Sequence, residues 1–270
     1  RIFDEHLDRL LTAINTVLGE NDPQFDLLTE ERYAASIHGK VLSHSKELRN
    51  GLAETLALLG SHPRALSNCS MGKAEGTARL SVRRLLSGAD WIRWASLNDL
   101  LPLLAEAAPD EFLLAIEDAL AKDRSPFDEL FAQESSGVMG RTYMTGILWA
   151  LETLAWSPDY LARTVLCLGG LASRDPGGNW ANRPANSLTT IFLPWFPQTC
   201  ASGEKRGAAV ASLLKEYPKV GWELLLTLLP GVRSSTSGSR KPAWRTTIPE
   251  NWSSGESKND DYRIFASLAV

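Results

Sequence analysis

Apolar residues recur at three- and four-residue spacing along most of the chain. The first example runs from Ile2 to Leu18, and its period is that of an amphipathic helix that ends near Gly19. The same pattern predicts further helices at 46–60, 78–87, 97–107, 110–122, 142–155, 158–172, 205–216 and 219–229. The Val/Ile/Thr alternation typical of strands is almost absent. The sequence therefore predicts an all-α fold and argues against a sheet-based nucleotide fold.

The apolar stripes of these helices predict the core. Nine aliphatic positions on facing stripes are expected to be buried: Leu56, Leu104, Ile116, Leu151, Leu154, Leu161, Leu168, Leu213 and Leu225. Three tryptophans fall in the same register and are also expected in the core: Trp149, Trp156 and Trp222. The other six remain as candidates for exposed rings: Trp91, Trp94, Trp180, Trp195, Trp244 and Trp252.

Proline follows the predicted end of four apolar helices, at Pro63, Pro109, Pro158 and Pro218. Proline is tolerated in the first turn of a helix and biases the preceding residue out of the helix, so each is expected to start a second helix. The intervals are 109 − 63 = 46, 158 − 109 = 49 and 218 − 158 = 60 residues. HEAT and armadillo repeats occupy about 40–47 residues. The pattern predicts a HEAT/armadillo-like helical-repeat solenoid, a right-handed stack of antiparallel helix pairs, with an inserted loop near 174–202.

The inserted segment, SRDPGGNWANRPANSLTTIFLPWFPQTCAS at 173–202, combines turn residues, aromatic rings and amides. A short helix is expected at Asn186–Phe192, and insertions in solenoids often collect on the binding face. The candidate partner-binding residues are Arg174, Asp175, Trp180, Asn182, Arg183, Asn186 and Trp195. Two interpretations stay open: a recognition surface, favoured for Trp180, and a structural clamp, favoured for Arg183 and Asn186.

Recognisable catalytic chemistry is sparse. The four histidines (His6, His38, His44 and His62) form no HExxH motif and show no regular metal spacing. Neither a Gly-rich phosphate loop nor a GxSxG motif occurs. The sequence therefore predicts no catalytic residue, no metal and no cofactor in this chain. An α/α-barrel carbohydrate enzyme with two carboxylates stays open as the enzymatic alternative.

Composition is that of a globular protein. The chain has 270 residues, 44% of them hydrophobic, which is enough to bury a sizeable core. Its formal net charge of −4 provides no general attraction to nucleic acid or to an anionic membrane surface. Three separated cysteines favour a reducing cytosol, and the longest apolar run is far shorter than the roughly 20 residues of a membrane-spanning helix. No signal peptide is recognisable at the N-terminus. We therefore expect a cytoplasmic protein.

The domain organisation changes at Pro230. Residues 1–229 are expected to form the helical-repeat domain, 230–258 a loop or linker rich in Ser, Gly, Arg and Lys, and 259–270 the start of a further helix. Within the linker, KPAWR could hold phosphate or an acidic surface, or could be a solvated loop. The chain begins with Arg1 rather than Met, which suggests a piece of a longer protein.

Several segments resemble the helical C-terminal region of large bacterial STAND-type NTPases. They are FDLLTEERYAASIHGKVLSHSKELRNGLAETLALLG, LLPLLAEAAPDEFLLAIEDAL, LWALETLAWSPDYLARTVLCLGGLASRDPGGNWANRPANSLTTIFLPW and PQTCAS. Proteins of that family join an effector domain, a nucleotide-binding oligomerisation module and a helical-repeat sensor, often in antiphage defence. No Walker motif or effector signature is present here, so the resemblance implies the sensor-side region, without ATPase or nuclease residues.

Three functions are compatible with these sequence features. The first is a sensor or interaction module whose partners are a protein ligand, plausibly of phage origin, and other domains of the parent chain. The second is a structural helical scaffold or oligomerisation module that packs against neighbouring domains or copies of itself. The third is the α/α enzyme, which deep acidic clefts would favour.

Overall fold

The computed structural model describes residues 1–135, 141–229, 238–252 and 258–268. Across these ranges the chain forms thirteen α-helices and no β-strand, which confirms the all-α prediction. The chain divides into two compact units, Arg1–Ile147 and Leu148–Val270.

The first unit is built from seven complete helices. They are α1 (Asp4–Val17), α2 (Lys46–Ser61), α3 (Lys73–Leu86), α4 (Trp91–Ser96), α5 (Leu101–Ala107), α6 (Pro109–Leu120) and α7 (Pro126–Ala132). Three 3₁₀ helices lie between them, at Pro23–Asp26, Arg32–Ala34 and Asn98–Leu100. Helix α2 packs against α3 and α5, α3 also contacts α1 and α6, and α4 packs against α7. The ring of Trp94 is fully buried in this unit, with its centroid 6.2 Å from that of Phe112 and 5.2 Å from that of Phe127.

Two arginines complete the C-terminal end of α1. The last carbonyl groups of a helix have no partner within it and carry partial negative charge, so cationic donors stabilise them. The buried guanidinium of Arg49 donates to the Val17 carbonyl, and Arg93 donates to the Leu18 carbonyl at 3.3 Å. Helices α2 and α4 thereby fix the end of α1.

The second unit contains five complete helices. They are α9 (Leu161–Arg174), α10 (Pro184–Phe192), α11 (Gly203–Glu216), α12 (Pro218–Leu228) and α13 (Lys258–Leu268). Helix α8 (Thr145–Ala155) includes the boundary between the two units. Helix α11 packs against α9, α12 and α13, and α10 packs against α9 and α12. The described part of the predicted linker, 238–252, contains no helix, whereas 230–237 and 253–257 lie outside the described residues.

Periodicity located the long helices and missed two short ones. Helices α4 and α7 span six and seven residues, so neither has the two or more turns that an apolar stripe needs. Helix α3 begins at Lys73, whereas the sequence pattern predicted its start at 78. The pattern missed the first turn because that turn is polar and carries no apolar period. The predicted C-terminal helix is present as α13, and residues 269–270 lie outside the described part.

The four proline joins have different outcomes. Pro109 and Pro218 are the first residues of α6 and α12, as predicted. Pro158 lies in a turn that precedes α9 by three residues. The prediction at Pro63 is wrong, because a run of turns rich in Ser, Asn and Gly separates α2 from α3.

Burial confirms the predicted aliphatic core but corrects the tryptophans. All nine aliphatic residues are buried, each with 3% or less of its surface exposed. Trp156 is buried as predicted, but Trp149 and Trp222 are 40% and 47% exposed. Trp94, expected among the exposed rings, is fully buried. The errors have two causes: the period of an apolar stripe alone does not determine how far a wide tryptophan ring is buried, and Trp94 lies in α4, the short helix that periodicity missed.

Replacing Leu154 with alanine should lower the free energy of unfolding by about 2–5 kcal/mol, because the side chain is 2% exposed and its removal leaves a cavity. The matched control is Leu114→Ala on α6, where the leucine is 46% exposed and a much smaller loss is expected. Urea unfolding of both variants measures the difference. Equal losses would mean that the helical phase assigned to α8 is incorrect.

Candidate functional site

The inserted segment begins with a loop that is closed by its own side chains. Asp175 follows α9, and its Oδ1 atom accepts a hydrogen bond from the Gly177 amide at 2.8 Å. Gly177 has a φ of 81°, which L side chains rarely adopt. The same Oδ1 atom accepts from the Arg183 guanidinium at 2.9 Å, and both side chains of this pair are almost buried. An ion pair with little solvent access therefore closes the loop between α9 and α10.

A second bond fixes the far end of the loop. Arg183 adopts an extended conformation before Pro184, the first residue of α10, because the residue that precedes proline is driven out of the helical region. Asn186, in the first turn of α10, donates through Nδ2 to the Ala181 carbonyl at 2.7 Å. The contacts of Arg183 and Asn186 are those of the clamp interpretation.

The remaining candidate residues of the segment are partly open to solvent. Arg174, Asn182 and Trp180 are intermediate in exposure, so the Trp180 ring is not enclosed by the chain. Trp195 is also intermediate and stacks on Phe196, with ring centroids 6.2 Å apart and planes 18° apart. The predicted residues thus divide by their contacts: Asp175, Arg183 and Asn186 form hydrogen bonds within the loop, although Asn186 is exposed, whereas Trp180 is intermediate in exposure.

A carboxylate on α8 connects this segment to residues 238–240. Glu152 Oε1 accepts from the Ser187 hydroxyl of α10 at 2.7 Å, and Oε2 accepts from the Arg240 amide at 3.0 Å. Burial raises the pKa of Glu152, and the hydrogen bonds from Ser187 and Arg240, with the Arg240 charge, offset this effect only in part. Because both oxygens are engaged, the carboxyl group acts here as a connector between three chain segments.

Trp156 and Gln198 hold the same short stretch from the other side. The Trp156 indole Nε1 lies 3.1 Å from both the Ser239 hydroxyl and the Arg240 carbonyl oxygen, so one N–H serves two acceptors. Gln198 Oε1 accepts from the Ser239 amide at 3.2 Å. The backbone of Ser239 and Arg240 is therefore held by side chains of α8, of the turn that follows α8, and of the inserted segment.

This backbone places two cations over tryptophan rings. The Arg240 guanidinium carbon lies 5.0 Å from the centroid of Trp149. Lys241 Nζ lies 5.3 Å from the ring of Trp156 and 5.7 Å from that of Trp252, two rings that meet edge to face at 4.9 Å. We call these five residues the cation–tryptophan cluster.

Sequence reasoning identified only part of this cluster. The KPAWR motif pointed to Lys241, but Arg240 and its position over Trp149 were missed. One signal was present in the sequence: Glu152 is the only charged residue in the apolar helix TGILWALETLA. A lone carboxylate in such a helix requires polar partners elsewhere in the fold, and here those partners are Ser187 and Arg240.

A further surface feature lies between α12 and α13. An apolar groove there is lined by Trp222, Leu225, Leu226, Leu228, Leu229, Tyr262, Phe265 and Ala266. No group of three or more His, Cys, Asp or Glu in the described part of the chain is placed to hold a metal ion. Nor is any helix within the described ranges long and apolar enough to cross a membrane.

Comparison with known proteins identifies no relative. No protein-family profile, curated protein or solved structure matches the chain.

Proposed function

We propose that this chain is a helical-repeat recognition module, the sensor-side region of a larger bacterial signalling or defence NTPase of the STAND type, and that it binds a protein ligand. The observation that supports this proposal is the closed loop after α9. Its ion pair and its Asn186 bond hold the backbone in place, while the ring of Trp180 stays partly open to solvent. A fixed loop that presents a tryptophan loses little conformational entropy on binding, and tryptophan is enriched among residues that dominate binding energy.

The repeat architecture in this proposal has support from two joins of the same kind. Ala108 links α5 to α6 with φ −151° and ψ 80°, and Tyr217 links α11 to α12 with φ −132° and ψ 70°. In both cases one residue ends the first helix and proline begins the second. Joins of similar geometry, one in each unit, are consistent with related helix pairs.

The remaining parts of the proposal come from the sequence. A ligand of phage origin and further domains in the parent chain follow from the resemblance to STAND-type NTPases, and a cytoplasmic location is proposed from the three separated cysteines. The chain itself is proposed to need no cofactor and to catalyse no hydrolysis, because nucleotide turnover in such proteins belongs to a module with Walker motifs.

A scaffold or oligomerisation function is the second candidate, and one surface favours it. Trp222 and Leu226 of α12, and Leu229 directly after its last residue, are about half exposed and line the apolar groove against α13. The four-residue spacing of Trp222 and Leu226 places both on one side of the helix. Exposed apolar residues grouped in this way are typical of surfaces that pack against another domain.

The clamp and recognition interpretations predict different results for two variants. Arg183→Ala should lower the free energy of unfolding by about 1–3 kcal/mol, because it removes the main partner of the nearly buried Asp175 carboxylate. On the recognition interpretation, Trp180→Ala should lower the melting temperature less than Arg183→Ala does, because part of the Trp180 residue is open to solvent. Thermal unfolding followed by circular dichroism measures both changes. A large loss of stability in Trp180→Ala would assign this residue to the clamp as well.

Ligand capture distinguishes recognition from the scaffold function. The tagged chain, Trp180→Ala and Trp222→Ala are each incubated with lysates of phage-infected and uninfected bacteria. Recognition predicts a protein that is retained from infected cells, lost with Trp180→Ala and kept with Trp222→Ala. The scaffold function predicts that only Trp222→Ala alters what is bound, including further copies of the chain. Retention that neither variant changes would contradict both assignments.

A further inference from the structure

We infer that the cation–tryptophan cluster of the second unit binds an acidic segment of a partner protein. The cluster shares no residue with the loop that carries Trp180, and the inference does not depend on what Trp180 binds. It rests on the rigidity of the backbone that carries the two cations, on their lack of acidic partners, and on the orientation of their side chains.

The backbone of Ser239 and Arg240 is rigid. Ser239 and Arg240 are held through the Glu152 carboxylate, the Trp156 indole and the Gln198 amide, at distances of 3.0–3.2 Å. These bonds engage the amide and carbonyl groups of Arg240, so its backbone position is fixed before any ligand arrives. Exposed arginines normally lose conformational freedom on binding, and fixing the backbone in advance reduces that loss.

The two cations of the cluster lack acidic partners among the described residues. Arg240 and Lys241 are exposed, and neither forms a salt bridge with another residue in the described part of the chain. The positive charge of Arg240 interacts electrostatically with Glu152, but the two Glu152 oxygens already accept hydrogen bonds from the Ser187 hydroxyl and from the Arg240 amide. Two adjacent positive charges are thus presented to solvent from a fixed backbone.

The orientation of the two cationic side chains favours carboxylates over nucleic acid. The guanidinium carbon of Arg240 lies 5.0 Å from the centroid of the Trp149 ring, and this contact limits the rotation of the guanidinium. A guanidinium in a fixed orientation can bind a carboxylate through two parallel hydrogen bonds. Proteins bind single-stranded nucleic acid largely through bases that stack on open aromatic faces of the protein. Here the cations cover one face of Trp149 and of Trp156, and Trp156 is fully buried.

The test uses the full chain and a short fluorescein-labelled peptide of alternating Glu and Ala, with fluorescence anisotropy as the readout. The peptide should bind, and binding should weaken as salt is added, because the contact is between exposed charges. Arg240→Glu and Lys241→Glu should each reduce the affinity at least about tenfold. The matched control is Arg84→Glu, an exposed arginine on α3 in the first unit, which should retain the wild-type affinity. Unchanged melting temperatures verify that the variants are folded.

Three results would overturn the inference. One is a failure of the acidic peptide to bind the wild-type chain. Another is an equal loss of affinity in Arg84→Glu, which would indicate a response to overall charge. The third is tighter binding of a short oligothymidylate that the Arg240 and Lys241 variants abolish, which would assign the cluster to nucleic acid. None of these results bears on Trp180, so the proposed recognition loop is tested separately.

Discussion

Gly60→Ala should prevent the first unit from reaching its native packing. Gly60 lies near the end of α2 and faces the last residue of α5. A Cβ atom at this position would lie 1.8 Å from the Ala107 carbonyl oxygen and 2.6 Å from its carbonyl carbon. Both are backbone atoms, so no side-chain rotation relieves the clash, and α2 or α5 has to move. Overpacking in a core typically costs about 1–3 kcal/mol, and we expect about 3 kcal/mol or more here because two packed helices are displaced.

The same helix provides an opposite control. Gly51 lies in α2, and no atom lies within 4 Å of an added Cβ there. Gly51→Ala should therefore stabilise the chain by about 0.5–1 kcal/mol, because alanine loses less backbone entropy than glycine when a helix forms. Urea unfolding of the two variants measures this opposite pair of shifts. A stable Gly60→Ala protein with an unchanged circular dichroism spectrum would show that α2 and α5 do not approach each other in this way.

The role of Gly60 illustrates the limit of sequence pattern. Periodicity predicted α2 and placed Leu56 in its core, because the spacing of apolar residues depends only on the helical repeat. In LLGSHP, however, Gly60 has the position of an ordinary glycine near a helix end. Its contact is with Ala107, whose proximity depends on how α2 packs against α5. Local pattern determines which residues are helical, but not which pairs of helices approach closely.

The same distinction explains the candidate site. Turn residues correctly indicated a connection between α9 and α10, because Asp175 and Gly177 act on their own neighbours in sequence. The Arg183–Asp175 pair lies within the same short loop, and Arg183 is one of the two residues for which the sequence favoured a clamp. The link from Glu152 to Arg240 joins residues 88 apart in sequence, and no local rule pairs them. Sequence alone could only indicate that Glu152 needed a polar partner.

The second large effect is expected from the buried ion pair that attaches α13 to α11. Arg206 Nη2 lies 2.6 and 2.7 Å from the two carboxylate oxygens of Asp261, and Asp261 is 1% exposed. Asp261→Ala should lower the free energy of unfolding by about 3–5 kcal/mol, because it leaves the guanidinium buried without its carboxylate. Loss of native structure is measured by urea unfolding, and release of α13 alone by amide hydrogen exchange.

Two comparisons separate this pair from a general effect of charge removal. Lys205, next to Arg206 on α11, pairs with Asp159 at 3.8 Å, and both of these side chains are largely exposed. Asp159→Ala should therefore have little effect on stability, since water already solvates and screens both charges. The double variant Arg206→Met/Asp261→Leu should recover much of the stability lost in Asp261→Ala, because no unpaired charge is then left in the interior. If Asp261→Ala were as mild as Asp159→Ala, α13 would not be attached through this pair, and the wall of the apolar groove that Tyr262 and Phe265 provide would need another support.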